Sequence, residues 1–187
     1  PARGLLFLEV KDWKVDTLRS ITPDSVEIDT HQGRKTISNP LTQARQCAFS
    51  AINQLQRDPQ LTQAGQRYRG KLCFPYGFGV VFPNITRLQW NKAVSEENQA
   101  LVLPSRLVIC KDEMLTTTDP EAFQERLWNM FDYRFGEKLS VPQIDRIRWQ
   151  LFPEVRIDTP TQDFFESDST EKEESAVSLV SDITRVM

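Results

Sequence analysis

Residues 5–13 read Leu-Leu-Phe-Leu-Glu-Val-Lys-Asp-Trp, a strongly apolar run that ends in a carboxylate and an amine two positions apart. The run predicts a strand over residues 5–11. Successive strand side chains point to opposite faces. Glu9 and Lys11 therefore share a face with Leu5 and Phe7, while Leu6, Leu8 and Val10 line the other. At a rise of ~3.3 Å per residue the Cβ atoms of Glu9 and Lys11 lie roughly 7 Å apart. One small object, such as a metal ion with its water or a phosphate oxygen, would touch both. A strand apolar on both faces is expected to be covered on both. Two charges at its end need a reason, because unpaired buried charge is costly.

Composition bounds the rest. The chain has 187 residues and a net charge of −3, enough for one domain with a real core and a tail. The charge is uneven: residues 158–187 hold eight acids against Lys172 and Arg185, or −6, which leaves 21 bases against 18 acids, or +3, in residues 1–157. A mildly basic body permits a phosphate partner. No apolar run approaches the ~20 residues of a membrane span, so no membrane role is expected. Residues 1–11 lack the basic and small-residue signals of a secretory leader. The chain opens on Pro1-Ala2-Arg3-Gly4 and enters a strand almost at once, which reads as the interior of a longer protein. Cys47, Cys73 and Cys110 are widely spaced and lack metal-ligand spacing, and they read as buried, reduced thiols of a cytoplasmic protein.

Along the chain, residues 15–21 and 26–30 predict two strands joined by the turn Thr22-Pro23-Asp24-Ser25. Residues 31–35 read as a loop or second turn. Asn39 and Pro40 are the cap and first position of a helix, with Leu41, Ala44, Ala48, Ile52 and Leu55 on its apolar stripe and an end near Asp58-Pro59. Residues 78–82 and 106–110 predict short buried strands. Residues 85–104 show weak periodicity and read as a long loop. Helices are expected from Asp119-Pro120, with Phe123, Leu127, Met130 and Phe131 inward, and from Ser140, through Ile144, Ile147 and Leu151. The sum is an α/β fold: a mixed central sheet flanked by helices. Residues 1–157 form the domain, residues 158–175 an acidic linker, and residues 176–187 the start of a following segment.

Glu9 at a strand end is a hard oxygen ligand suited to Mg²⁺ or Mn²⁺, and the Val10 carbonyl offers a second. Lys11 beside them would orient water and offset charge developing on phosphorus. Glu-x-Lys is common, and a salt-bridged strand end is the plainer reading. Gln43, one step off the helix stripe, suits a nucleic-acid backbone or a metal-bound water, or is a surface glutamine. Arg67, Tyr68, Arg69 and Lys71, with Arg34 and Lys35, suit a phosphate backbone and a stacked base, or form ordinary solvated loops. His31, the only histidine, is expected at the surface.

The ordered set Leu5-Leu-Phe-Leu-Glu-Val-Lys-Asp-Trp13, hairpin, Asn39-Pro-Leu-Thr-Gln-Ala-Arg45 and Val80-Val-Phe-Pro-Asn84 resembles the nuclease-related domain, NERD, of the PD-(D/E)xK nuclease superfamily, over residues 4–111. The resemblance implies a restriction-endonuclease-like core, N-terminally incomplete here. It implies Glu9, Lys11 and Gln43 as catalytic residues, Mg²⁺ or Mn²⁺ held by Glu9 and Val10, and DNA bound by Arg34, Lys35, Arg67, Arg69 and Lys71. The superfamily's other metal-binding Asp, and the acid of its first helix, are then expected upstream of Pro1. Residues 182–187 resemble the linker to a superfamily I helicase, which implies a helicase partner beyond Met187 and a place in DNA processing or repair. The expected activity is metal-dependent DNA hydrolysis. The alternative is a catalytically inactive DNA-binding or regulatory module. A third reading is a protein-interaction module using Phe164 and Phe165.

Overall fold

The computed structural model describes residues 4–136 and 138–154. The chain divides after Glu154. The expected linker, the segment after it, and Phe164 and Phe165 lie outside the described residues.

Strand β1 (Leu5–Val10) leads through a single 3-10 turn, Val15–Thr17, into β2 (Leu18–Ile21), β3 (Ser25–Thr30) and β4 (Gly33–Ser38). Two expectations change here. The strand foreseen over residues 15–21 begins only at Leu18. The loop foreseen over residues 31–35 is mostly β4, because Gly33 at φ 104° turns the chain tightly and Thr30 Oγ1 donates to its carbonyl at 2.8 Å. At the other turn Thr22 Oγ1 accepts from the Ser25 amide at 2.9 Å. Together β2, β3 and β4 make an antiparallel meander.

Helix α1 (Pro40–Leu55) starts as expected: the Asn39 side chain accepts from the Leu41 amide, and Pro40 holds the first turn. Buried Asn39 also donates to the carbonyls of Thr22 at 2.8 Å and Val102 at 3.0 Å. It therefore fixes the helix start to the hairpin and to a later element. After α1, β5 (Tyr76–Phe82) pairs in parallel with β1, Leu5 opposite Tyr76 and Val10 opposite Val81.

The long loop expected over residues 85–104 is two seven-residue helices, α2 (Arg87–Ala93) and α3 (Glu96–Val102). Thr86 and Gln89 form a capping box before α2, and Ser95 caps α3. Two turns each are too few for an apolar stripe to declare itself, so capping and the burial of Trp90 and Gln99 hold them. The strand expected over residues 106–110 narrows to β6 (Val108–Cys110), parallel to β5. Helices α4 (Pro120–Trp128) and α5 (Val141–Leu151) follow. Met130 and Phe131, foreseen on α4, lie past its end.

The strands thus divide between two three-stranded sheets, parallel β1-β5-β6 and antiparallel β2-β3-β4, rather than one mixed central sheet. One face of the parallel sheet lies under α1. Ile52 and Leu55, late in α1, share a core with Leu5, Phe7 and Tyr76 at the strand starts, and the α5 residue Ile147 joins them. Leu41, early in α1, packs near the strand ends with Val80 and Phe82, in the core that also takes Val26, Ile28 and Ile37 of the meander. Helix α1 therefore runs antiparallel to β1. The opposite face holds Leu6, Val81 and Ile109 against Phe123, Leu127 and Met130. Close approach there needs glycine: a Cβ on Gly77 would stand 2.7 Å from the Met130 carbonyl oxygen, and one on Gly79 2.6 Å from its Sδ. Phe131 bridges Gly77 in antiparallel fashion. Coverage stops short of the outer strand, so Leu8 and Val10 of β1 are 41% and 58% exposed, against the expectation of two covered faces.

At the end of β6 three charges interlock. Arg87 donates twice to Glu113, from Nε at 3.1 Å and Nη2 at 2.8 Å, and Arg126 approaches the same carboxylate at 3.6 Å. Glu113 also accepts from the Cys110 amide at 2.8 Å.

Candidate functional site

β1 ends in the pair that its sequence singles out. Lys11 Nζ lies 2.7 Å from Glu9 Oε1, with side chains 19% and 31% exposed. The ammonium also sits 5.8 Å from the centre of the Trp13 ring, itself buried against Phe82 at 5.9 Å between centroids. An aromatic face attracts a cation electrostatically, so Lys11 is held from two sides. Sequence reasoning did not assign Trp13, although the alternation that pairs Glu9 with Lys11 puts Trp13 next in the same series. Asn84 Nδ2 donates to the Asp12 carbonyl at 2.8 Å, fixing the chain between Lys11 and Trp13.

The backbone matters too. Leu5 donates to the Pro75 carbonyl at 3.1 Å and Lys11 to that of Val81 at 3.0 Å. Odd-numbered residues of β1 thus direct their backbone groups to β5, and alternation sends the Val10 carbonyl to the other side. No described strand pairs with β1 on that side.

Gln43 stands in the first turn of α1. Because α1 runs antiparallel to β1, that turn overlies the end of the sheet where Glu9 and Lys11 lie. Its Oε1 is buried and accepts no hydrogen bond among the described residues.

Glu9 and Val10 offer hard oxygen donors of the type Mg²⁺ takes, and Mg²⁺ is commonly held by one or two carboxylates plus waters and phosphate oxygens. Among the described residues no group of three acidic, histidine or cysteine side chains is placed to hold a metal. The shell they offer is partial.

The basic residues expected to work together separate. Arg34 and Lys35 lie on β4 in the meander, and Arg34 pairs with Asp29 at 3.3 Å. Arg19 also binds Asp29, at 2.6 Å, and its hydrogen bond leads the causes that hold the Asp29 carboxyl below its ordinary value. Arg67, Arg69 and Lys71 occupy a loop whose roots, Leu61 and Leu72, belong to the core at the starts of β1 and β5. That is the opposite end of the sheet from Lys11. Arg67 stacks on Tyr68 at 5.2 Å. His31 is exposed in its turn. Of the three cysteines, only Cys110 is buried as expected, and burial pushes its thiol up to about 11; Cys47 is exposed because it lies off the apolar stripe of α1, and Cys73 is half-buried. No described helix is long and apolar enough to cross a membrane. Comparison with family models, curated proteins and solved structures finds no match to this chain.

Proposed function

We propose that the chain carries a metal-dependent nuclease-like domain of the PD-(D/E)xK type acting on DNA phosphodiester bonds. The observation behind this reading is the Glu9–Lys11 pair at 2.7 Å, at the C-terminal end of a parallel strand and under the first turn of the crossover helix. Ligands of open α/β sheets gather at that end of the strands. In this reading Glu9 and the Val10 carbonyl hold Mg²⁺ or Mn²⁺, with a further carboxylate from outside the described residues. The metal would supply Lewis-acid charge to the phosphate. Lys11 offsets the negative charge that develops on the phosphate oxygens as water attacks phosphorus and the ester oxygen departs. The unpartnered Oε1 of Gln43 accepts a hydrogen bond from the positioned water and so orients it. Within a longer protein such a domain would process DNA strands delivered by a helicase motor.

The second reading, a DNA-binding or regulatory module without cleavage, is favoured by the lack of a group of three metal-ligating side chains among the described residues. Plasmid nicking in Mg²⁺ or Mn²⁺ separates the two. The nuclease reading expects nicking by the full-length protein and its loss in Lys11→Ala. Equal nicking by both proteins sinks the role given to Lys11.

A further inference from the structure

A shallow groove of about 370 Å³ lies between the end of α1 and helix α5, lined by Gln54, Arg57, Asp58, Pro59, Arg146 and Gln150. Asp58 is not available to repel an anion there: its Oδ2 accepts from Arg146 Nε at 2.7 Å and from Gln150 at 2.8 Å. Arg57 is exposed and makes no ion pair among the described residues.

The basic loop is built beside this groove. A bridge between Thr62 and Leu72 closes its base. Inside the base, the Gln63 amide donates to the Lys71 carbonyl at 2.8 Å, and the Gly70 amide donates to the Gln63 carbonyl at 3.2 Å. Gln143, at the start of α5, reaches the Gln60 carbonyl at 3.4 Å and Cys73 Sγ at 3.5 Å. Arg146 follows Gln143 on the same helix. Loop and groove are therefore joined along α5. They present Arg57, Arg67, Arg69, Lys71 and Arg146, with Asp58 and exposed Asp145 as acids on the same two elements. Within this patch Tyr68 is 51% exposed beside the Arg67 guanidinium.

We infer that this groove and loop bind the backbone of single-stranded nucleic acid, with Tyr68 as a stacking platform, at the end of the sheet away from Glu9 and Lys11. Clustered bases interleaved with an exposed aromatic are the pattern that tracks a strand's phosphates and stacks its bases. Six residue steps run from Leu5 to Lys11, just past the end of β1, so the two ends lie roughly 20 Å apart at ~3.3 Å per step. The surface would hold a strand at a distance from the place of cleavage. This inference rests on the nucleic-acid reading above, but not on cleavage.

The test is fluorescence anisotropy of the full chain with a labelled oligothymidylate across a salt series, beside the nicking assay. Removing four phosphate contacts in Arg57→Ala/Arg67→Ala/Arg69→Ala/Lys71→Ala is expected to flatten the slope of log affinity against log salt by about 3, at ~0.7 per contact on a single strand. A control lacking four exposed charges elsewhere (Lys14, Arg45, Lys92 and Lys111 each to Ala) is expected to keep the slope. Tyr68→Ala is expected to weaken binding by roughly tenfold. All these side chains are exposed, so the variants should fold, and circular dichroism checks it. Equal slopes in the two quadruple variants overturn the inference. So does an acidic peptide of matched charge that binds as tightly and ignores Tyr68→Ala. Binding that behaves as expected without nicking supports the surface and removes the cleavage reading. Nicking without any contribution from the surface does the reverse.

Discussion

The Asp58 carboxylate meets the Arg146 guanidinium at 2.7 Å and so ties the chain just past α1 to the middle of α5. The Arg146 hydrogen bond is the main cause holding this carboxyl below its ordinary value, against burial, which pushes it up. Gln60 N donates to the other oxygen at 3.0 Å. In Asp58→Asn an amide would face two donors. The expected loss is about 1–3 kcal/mol near neutral pH, read by urea unfolding. A lowered carboxyl contributes stability that is full above its unfolded value of ~3.9 and is lost as pH falls through the folded value. The gap between wild type and Asp58→Asn should therefore close as the solution is taken to low pH. A gap that stays constant from neutral pH to acid would show that charge is not the source.

Gly77 and Gly79 should respond differently to alanine. The Gly77 Cβ would meet Met130 backbone, while its Gly79 counterpart meets the flexible Met130 side chain and, at 2.9 Å, the Leu107 carbonyl. Both changes are expected to cost about 1–3 kcal/mol by overpacking. Adding Met130→Ala should recover part of the loss in Gly79→Ala and none in Gly77→Ala. A double-mutant cycle in thermal or urea unfolding reads this directly.

Removal of Glu113 should be more damaging than removal of Glu9. Glu113→Gln leaves Arg87 and Arg126 facing each other without their carboxylate, and weakens the three hydrogen bonds it accepts from Arg87 and the Cys110 amide, a loss of about 1–3 kcal/mol. The partly exposed Glu9–Lys11 pair is worth roughly 1 kcal/mol or less. Glu9→Gln should thus unfold close to wild type while losing nicking, whereas Glu113→Gln should unfold early. If Glu9→Gln proved as unstable as Glu113→Gln, the pair would be structural.

Thiol labelling should proceed in the order Cys47, Cys73, Cys110. Cys47 is exposed, burial raises the Cys73 thiol, and Cys110 is buried with its thiol at about 11. Since the thiolate is the reactive form, Cys110 should label at mild alkaline pH only after denaturant is added. Mass spectrometry of a timed maleimide reaction checks the order.

How much of this was legible in the sequence depended on range. Alternation along residues 5–13 was enough to put Glu9 and Lys11 on one face, and Asn39-Pro40 marked a helix start by local chemistry. The capping signals Thr86-x-x-Gln89 and Ser95 were also present, but seven-residue helices give too short a stripe to be read. The division into two sheets was not legible, because pairing of β1 with β5 leaves no local trace. Nor was the separation of the loop at Arg67 from Lys11: it is set by Leu61 and Leu72 joining one core and Trp13 another. Linear proximity of charges to motifs is silent about which end of a sheet they reach.

The register that joins Leu5 to Tyr76 also has a kinetic side. The meander β2-β3-β4 closes through two short turns, and such hairpins form in ~1–10 μs. The parallel sheet must first bring together residues 5 and 76, and the entropy of closing that loop is lost before any contact compensates it. Early in refolding the meander and α1 would exist while β1 is still unpaired. Glu9 and Lys11 would then be among the last groups to acquire their surroundings, so that recovery of the site, not of helical signal, times the completion of folding.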